Sequence, residues 1–101
     1  MDQSSNSKIF TNLVIDTQAT AKNIAMYIKK SDLKISQLQN LFGFDKPQAI
    51  YYWRDGKYLP TVDNLFKLAF FLGTSVEKLI VTETRENEAY NDVPERFRIN
   101  A

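Results

Sequence analysis

From Leu33 to Pro60 the apolar positions recur at helical spacing, broken once by a glycine. Leu38, Leu41 and Phe42 precede Gly43, and Ile50 and Trp53 follow it three residues apart. The pattern predicts two short helices. One covers about 34–42, with Ile35, Leu38, Leu41 and Phe42 apolar; the other covers about 46–54; a tight turn at Gly43-Phe44 joins them. Glycine is the expected stop for the first, because a left-handed cap favours it. Asp45 followed by Lys46-Pro47 reads as an acidic cap and a first-turn proline for the second. Helices this short are marginal in water, so each must pack on the other and on its neighbours.

The flanks supply those neighbours. Asp16 or Thr17 can cap a helix over about 18–30, with Ala21, Ile24, Ala25 and Ile28 on its inner face and Lys29-Lys30 at its C-terminal end. Ser31-Asp32 ends it, and Asp55-Gly56 ends the helix that carries Ile50 and Trp53. Thr61 is the expected cap of a helix over about 62–72, whose stripe is Val62, Leu65, Phe66, Ala69 and Leu72, with Phe70 and Phe71 widening it. A last helix, about 76–81, starts from Thr74 or Ser75 and buries Val76, Leu79 and Ile80.

Outside these lie two segments of different character. Ile9–Ile15 is apolar and β-branched, so propensity permits a strand, but no second strand candidate stands out to pair with it. An extended arm, lying on the helical body or exchanged with a second subunit, is the expected form, and a short helical turn is the alternative. Residues 1–8 are polar and expected to be disordered. From Thr82 onward the chain is polar and acidic, with Val93, Phe97 and Ile99 around Pro94, and a flexible tail is expected. The expected organisation is an arm (1–15), an all-α body (16–81) of five short helices without a sheet, and a tail (82–101).

Composition narrows the chemistry. With no cysteine and no histidine, the chain lacks thiolate and imidazole metal ligands and the commonest general base. Asp32, Asp45, Asp55 and Asp63 read as caps and turns, and no pair of them suggests catalysis. No enzyme, metal or cofactor is expected. The start of the chain lacks a signal-peptide layout, and no apolar run approaches the roughly 20 residues of a membrane span, so a cytoplasmic protein with no membrane partner is expected. The net charge of +1 hides an asymmetry. Residues 17–81 carry nine basic and five acidic side chains, a net +4, whereas both ends are acidic. A mildly basic body suits a polyanionic partner without demanding one.

The order Leu-x4-Gly, then Ile-x2-Trp-x2-Gly-Lys-x2-Pro, resembles the lambda-repressor-like (Cro/cI, XRE) helix-turn-helix family. Leu38 and Gly43 correspond to its second-helix leucine and turn glycine, Ile50 and Trp53 to core positions of its recognition helix, and Gly56-Lys57 and Leu59-Pro60 to its exit loop. The following DNLFKLAFFLGTSVEKLI is similar to its fourth and fifth helices, so the resemblance spans about 17–81. Three features depart from it. Phe44 to Ala49 make a turn longer than is usual there, Lys34 stands where a Ser or Thr cap is usual, and Arg54 where Glu is frequent.

The resemblance implies a sequence-specific, double-stranded-DNA-binding transcriptional regulator, a repressor acting as a homodimer on a palindromic operator. In such a fold the first turn of the recognition helix and the outward positions one turn on meet base edges. Here these are Gln48, Ala49, Tyr51 and Tyr52. Gln48 leads, because its amide can bond adenine bidentately, and Ala49 suits a thymine methyl. Lys34, Lys46, Arg54, Lys57 and Tyr58 are the candidates for phosphate, with Gln37 and Gln39 weaker. The apolar excess at Phe70, Phe71 and the last helix is the expected dimer surface. A protein-interaction module, antitoxin-like, in which the same fold binds a protein partner, is the alternative reading.

Overall fold

The computed structural model describes residues 10–86, and local capping chemistry sets most of the helix boundaries. Helix α1 (Thr17–Ser31) starts where the Asp16 carboxylate accepts a hydrogen bond from Ala19 N at 3.0 Å. It ends at Asp32, in the left-handed region at φ 62°. Helix α2 (Ile35–Phe42) has no side-chain cap from Lys34; instead the Gln37 side chain reaches back and accepts from Lys34 N at 2.8 Å. Gly43, at φ 74°, closes it. Thr61 caps α4 (Val62–Phe71) and Ser75 caps α5 (Val76–Leu79), each accepting a backbone N–H three residues on.

Helix α3 (Gln48–Asp55) departs from expectation. Pro47 occupies its N-cap position, no side chain caps it, and Asp45 lies in the preceding bend. The longer turn moves Asp45 away from the helix start, and the turn is held from outside. Gln39 Nε2 donates to Phe44 O (3.2 Å) and to Asp45 O (3.1 Å), which satisfies backbone carbonyls that no helix uses.

Asp16–Val81 makes one compact helical unit, and its core gathers residues from all five helices. Ile24 and Ile28 of α1, Leu38 of α2, Ile50 and Trp53 of α3, Leu65 and Leu68 of α4 with its C-cap Leu72, and Leu79 of α5 are buried together. An aromatic cluster fills the side near the turn. Phe42 stacks on Phe44 at 4.9 Å and meets Trp53 and Phe71 edge-on at 5.3 and 5.0 Å. Two polar clamps tie α1 to the end of the unit. The fully buried Thr20 hydroxyl donates to Val81 O (3.3 Å) and accepts from Val81 N (2.9 Å), and Asn23 Nδ2 donates to the carbonyls of Lys78 and Leu79. The last carbonyls of α5, which the helix cannot satisfy itself, thereby find partners.

The core corrects the expected stripe. Val62 and Phe66 are 72% and 63% exposed, Leu41 is 50% exposed, and Leu68 is fully buried. Two overlapping stripes exist on α4, one from Val62 and one from Leu65. The inward one runs Leu65, Leu68, Ala69 and Leu72, so the other faces out. Phe71 turns in against Phe42 while Phe70 is 80% exposed.

A two-stranded antiparallel sheet is present, so neither the sheet-free architecture nor the unpaired arm holds. Strand β1 (Phe10–Ile15) pairs with β2 (Thr82–Glu86), Ile15 opposite Thr82 and Leu13 opposite Thr84, with an irregularity between Phe10 and Asn12. Residues 82–86, expected to begin a flexible tail, are this second strand. The helical unit explains the pairing. Asp16 N donates to Val81 O at 2.8 Å, so the chain enters and leaves through neighbouring residues and the flanking segments start side by side. β-branched Thr82 and Thr84 alternate with charged residues, which conceals a strand in a polar sequence. The expectations of disorder in 1–8 and of a tail beyond Glu86, with Val93, Phe97 and Ile99, lie outside the described residues. Among the described residues, the architecture is five helices and this sheet, and no helix is long and apolar enough to cross a membrane.

Candidate nucleic-acid interface

Helix α3 is pinned on its inner side and at both ends, and this decides what its outer side can present. Ile50 and Trp53, three residues apart, are buried and fix its rotation. Gln39 holds the turn before it. At its C-terminal end Gly56 is buried at φ 78°, and Gln18 Nε2 of α1 donates to Gly56 O at 3.2 Å. The Gln18 amide lies so close that a Cβ on Gly56 would be 2.8 Å from its atoms. This position therefore favours glycine for its backbone conformation, and a side chain there would displace the Gln18 amide.

With that face locked, Gln48, Tyr51, Tyr52 and Asp55 fall on the opposite side at 100° per residue. Gln48 is exposed, and its Nε2 donates to the Tyr52 hydroxyl at 3.4 Å, one turn along. The Tyr52 ring is half-buried. The edge-on ring of Tyr58 approaches it to 5.3 Å, and Lys57 Nζ stands 4.5 Å from its centroid. Gln48, Tyr52, Lys57 and Tyr58 thus form one connected group. Tyr51 is exposed beside it, with the Arg54 guanidinium 5.0 Å from its ring centroid. Asp55, also exposed, sits in the last turn, at the opposite end of the helix from Gln48.

The remaining candidates separate. Ala49 is half-buried and packs against the core, so it stands on the shoulder of α3 and not on its outer face. Lys46 is exposed in the turn ahead of α3, and Lys34 is exposed at the start of α2. Arg54 is half-buried, and together with Lys34 and Lys29 it rims an open cleft of about 580 Å³ floored by Ala25, Ile28 and Ile35. Among the described residues, none of Lys29, Lys34, Lys46, Arg54 and Lys57 pairs with a carboxylate, whereas Lys67 pairs with Asp63 at 3.3 Å. Gln37 and Gln39 are engaged by their own backbone bonds.

Three residues of this region carried no signal of their role in the sequence. Gln18 and Gln39 position the two ends of α3 through contacts between helices, which spacing along one helix does not reveal. Lys29 reads as a dipole-matched C-terminal cation, and the fold adds its nearness to Lys34 and Arg54. Comparison of the chain with protein-family models, with curated proteins and with solved structures returns no match.

Proposed function

We propose that this chain is a lambda-repressor-like helix-turn-helix regulator that binds double-stranded DNA sequence-specifically, and that it represses by occupying a palindromic operator as a homodimer and excluding polymerase. The observation that carries the reading is the outer face of α3. An exposed amide and two tyrosines stand on a helix whose inner face and ends are held by other helices, beside cations that have no carboxylate partner among the described residues. A helix so held enters a major groove without reordering, which lowers the entropic cost of binding.

On this reading Gln48 reads an adenine. One amide N–H remains on Tyr52, the second donates to adenine N7, and Oε1 accepts from N6, so the internal bond and the base contact are compatible. The Tyr52 hydroxyl, whose oxygen accepts from Gln48, still has its proton to donate. Tyr51 lies along the same face toward the neighbouring step. Ala49, on the shoulder, meets a thymine methyl only at the edge of the groove. Lys46, Lys57 and Tyr58 beside α3, and Lys34 with Arg54 across the cleft, bind phosphates and set register.

Fluorescence anisotropy with the duplex upstream of the chain's own gene, beside a scrambled duplex at two salt concentrations, tests this. Tighter binding to the first duplex is expected, weakening with salt. Gln48→Ala removes the preference, and Lys57→Ala weakens both duplexes alike. Equal, weak and Gln48-independent binding to both would count against a reader at this face, and would move weight to the protein-interaction reading.

A further inference from the structure

We propose that the ridge of Val62, Phe66 and Phe70 on α4 is a docking surface for a second copy of this chain, related by a two-fold axis. The three side chains lie one turn apart in a single row and are 72%, 63% and 80% exposed, the last the most exposed large apolar residue described. Isolated apolar residues on a surface are unremarkable, but a row of this size is not.

The surroundings of the ridge point to a copy of itself. Beside it lies an open groove of about 470 Å³, lined by Phe66, Ala69, Phe70, Thr74 and Val76. Protrusion and recess therefore share one face. A two-fold contact sets the same patch against itself, so that patch must carry both, each ridge entering the other's groove. The area is of the right order. Taking about 200 Å² for a phenylalanine side chain, the two rings alone leave roughly 300 Å² exposed on each copy. A standard interface buries about 800 Å² per partner, about 65% of it apolar in homodimers, so the rings supply more than half of that apolar part. The rim is polar, as such an interface requires: the Asp63–Lys67 pair flanks the ridge and Glu77 lines the groove.

This surface does not rest on the DNA reading, and its test is made without DNA. Size-exclusion chromatography with light scattering on the full chain, at micromolar concentration, is expected to give twice the chain mass of 11.7 kDa. Phe70→Glu and Phe66→Ser change exposed positions, so the far-UV circular dichroism and urea midpoint of the monomer should stay put. Each should raise the dimer Kd by at least about 30-fold, the loss expected of a central aromatic anchor. Should Phe70→Glu disturb the fold, Phe66→Ser alone decides. A monomeric wild type overturns the proposal, as does a dimer whose Kd ignores both substitutions or is lost only on breaking strand β1 with Val14→Pro.

Discussion

Replacing Gly56 by alanine should cost more than replacing Gly43, although both glycines close helices at nearly the same backbone angles, φ 78° and 74°. A left-handed residue with a Cβ carries a penalty of about 1–2 kcal/mol, and this applies to both. The surroundings differ. Nothing lies within 4 Å of a Cβ built on Gly43, whereas one on Gly56 meets Gln18 Nε2 and Oε1 at 2.8 Å. Gln18 is a flexible side chain, so it moves aside and gives up its 3.2 Å bond to Gly56 O. That loss adds about 1 kcal/mol. Urea denaturation should therefore give about 1–2 kcal/mol for Gly43→Ala and about 2–3 kcal/mol for Gly56→Ala, with m unchanged. Gln18→Ala alone should cost about 1 kcal/mol, and combined with Gly56→Ala it should add almost nothing, because the bond is already gone. Equal costs for the two glycines, or full additivity of Gln18→Ala with Gly56→Ala, would refute the claim that Gln18 holds the end of α3.

Trp53→Ala should lose about 3–5 kcal/mol in the same assay, since it empties the contact with Phe42 and Phe44, while Leu41→Ala, at a half-exposed site outside the core, should lose under about 1 kcal/mol. Thr20→Val keeps the shape but removes both bonds to Val81; urea denaturation should show about 1–3 kcal/mol lost, and hydrogen exchange at Val81 N should speed up. Gln39→Ala frees the carbonyls of Phe44 and Asp45 and should speed amide exchange through the turn ahead of α3 without altering exchange at Thr61–Leu65.

What was legible in the sequence was local. Asp16, Thr61 and Ser75 cap helices because a short polar side chain needs only its own next turn, and Gly43 terminates α2 for an equally local reason. What was not legible depends on residues distant in the chain. Asp45 and Pro47 spell a cap on paper, but the turn is shaped by Gln39 from another helix. Val62 and Leu65 begin equally good apolar stripes on α4, and only the position of the core selects the second. Strand β2 is hidden because a sequence such as Thr-Glu-Thr-Arg-Glu has no reason to be extended until Asp16 and Val81 bring it beside β1. The candidate site divides the same way. Gln48 and Tyr52, four residues apart on one helix, meet as that spacing dictates, whereas the retreat of Ala49 to the shoulder follows from the rotation that Ile50 and Trp53 impose.

Charge links the α4 ridge to the proposed DNA contact. If α3 enters a major groove as proposed, a single helical body offers Lys34, Lys46, Arg54 and Lys57 to phosphates, and four released counterions would give a salt slope of only about −4, too few for tight binding at physiological salt. Two bodies held by their α4 ridges would double the contacts and bring the slope to about −7. The salt dependence therefore reads the stoichiometry on DNA independently of any mass measurement. Phe70→Glu leaves every residue of the α3 face in place, yet on this reasoning it should weaken operator binding and halve the slope. Lys57→Ala, by contrast, should lower the slope by about 1 per copy and leave the free dimer intact. A Phe70→Glu chain that binds with the full slope would mean that dimerisation through this ridge and DNA contact are unconnected, whatever the state of the free protein.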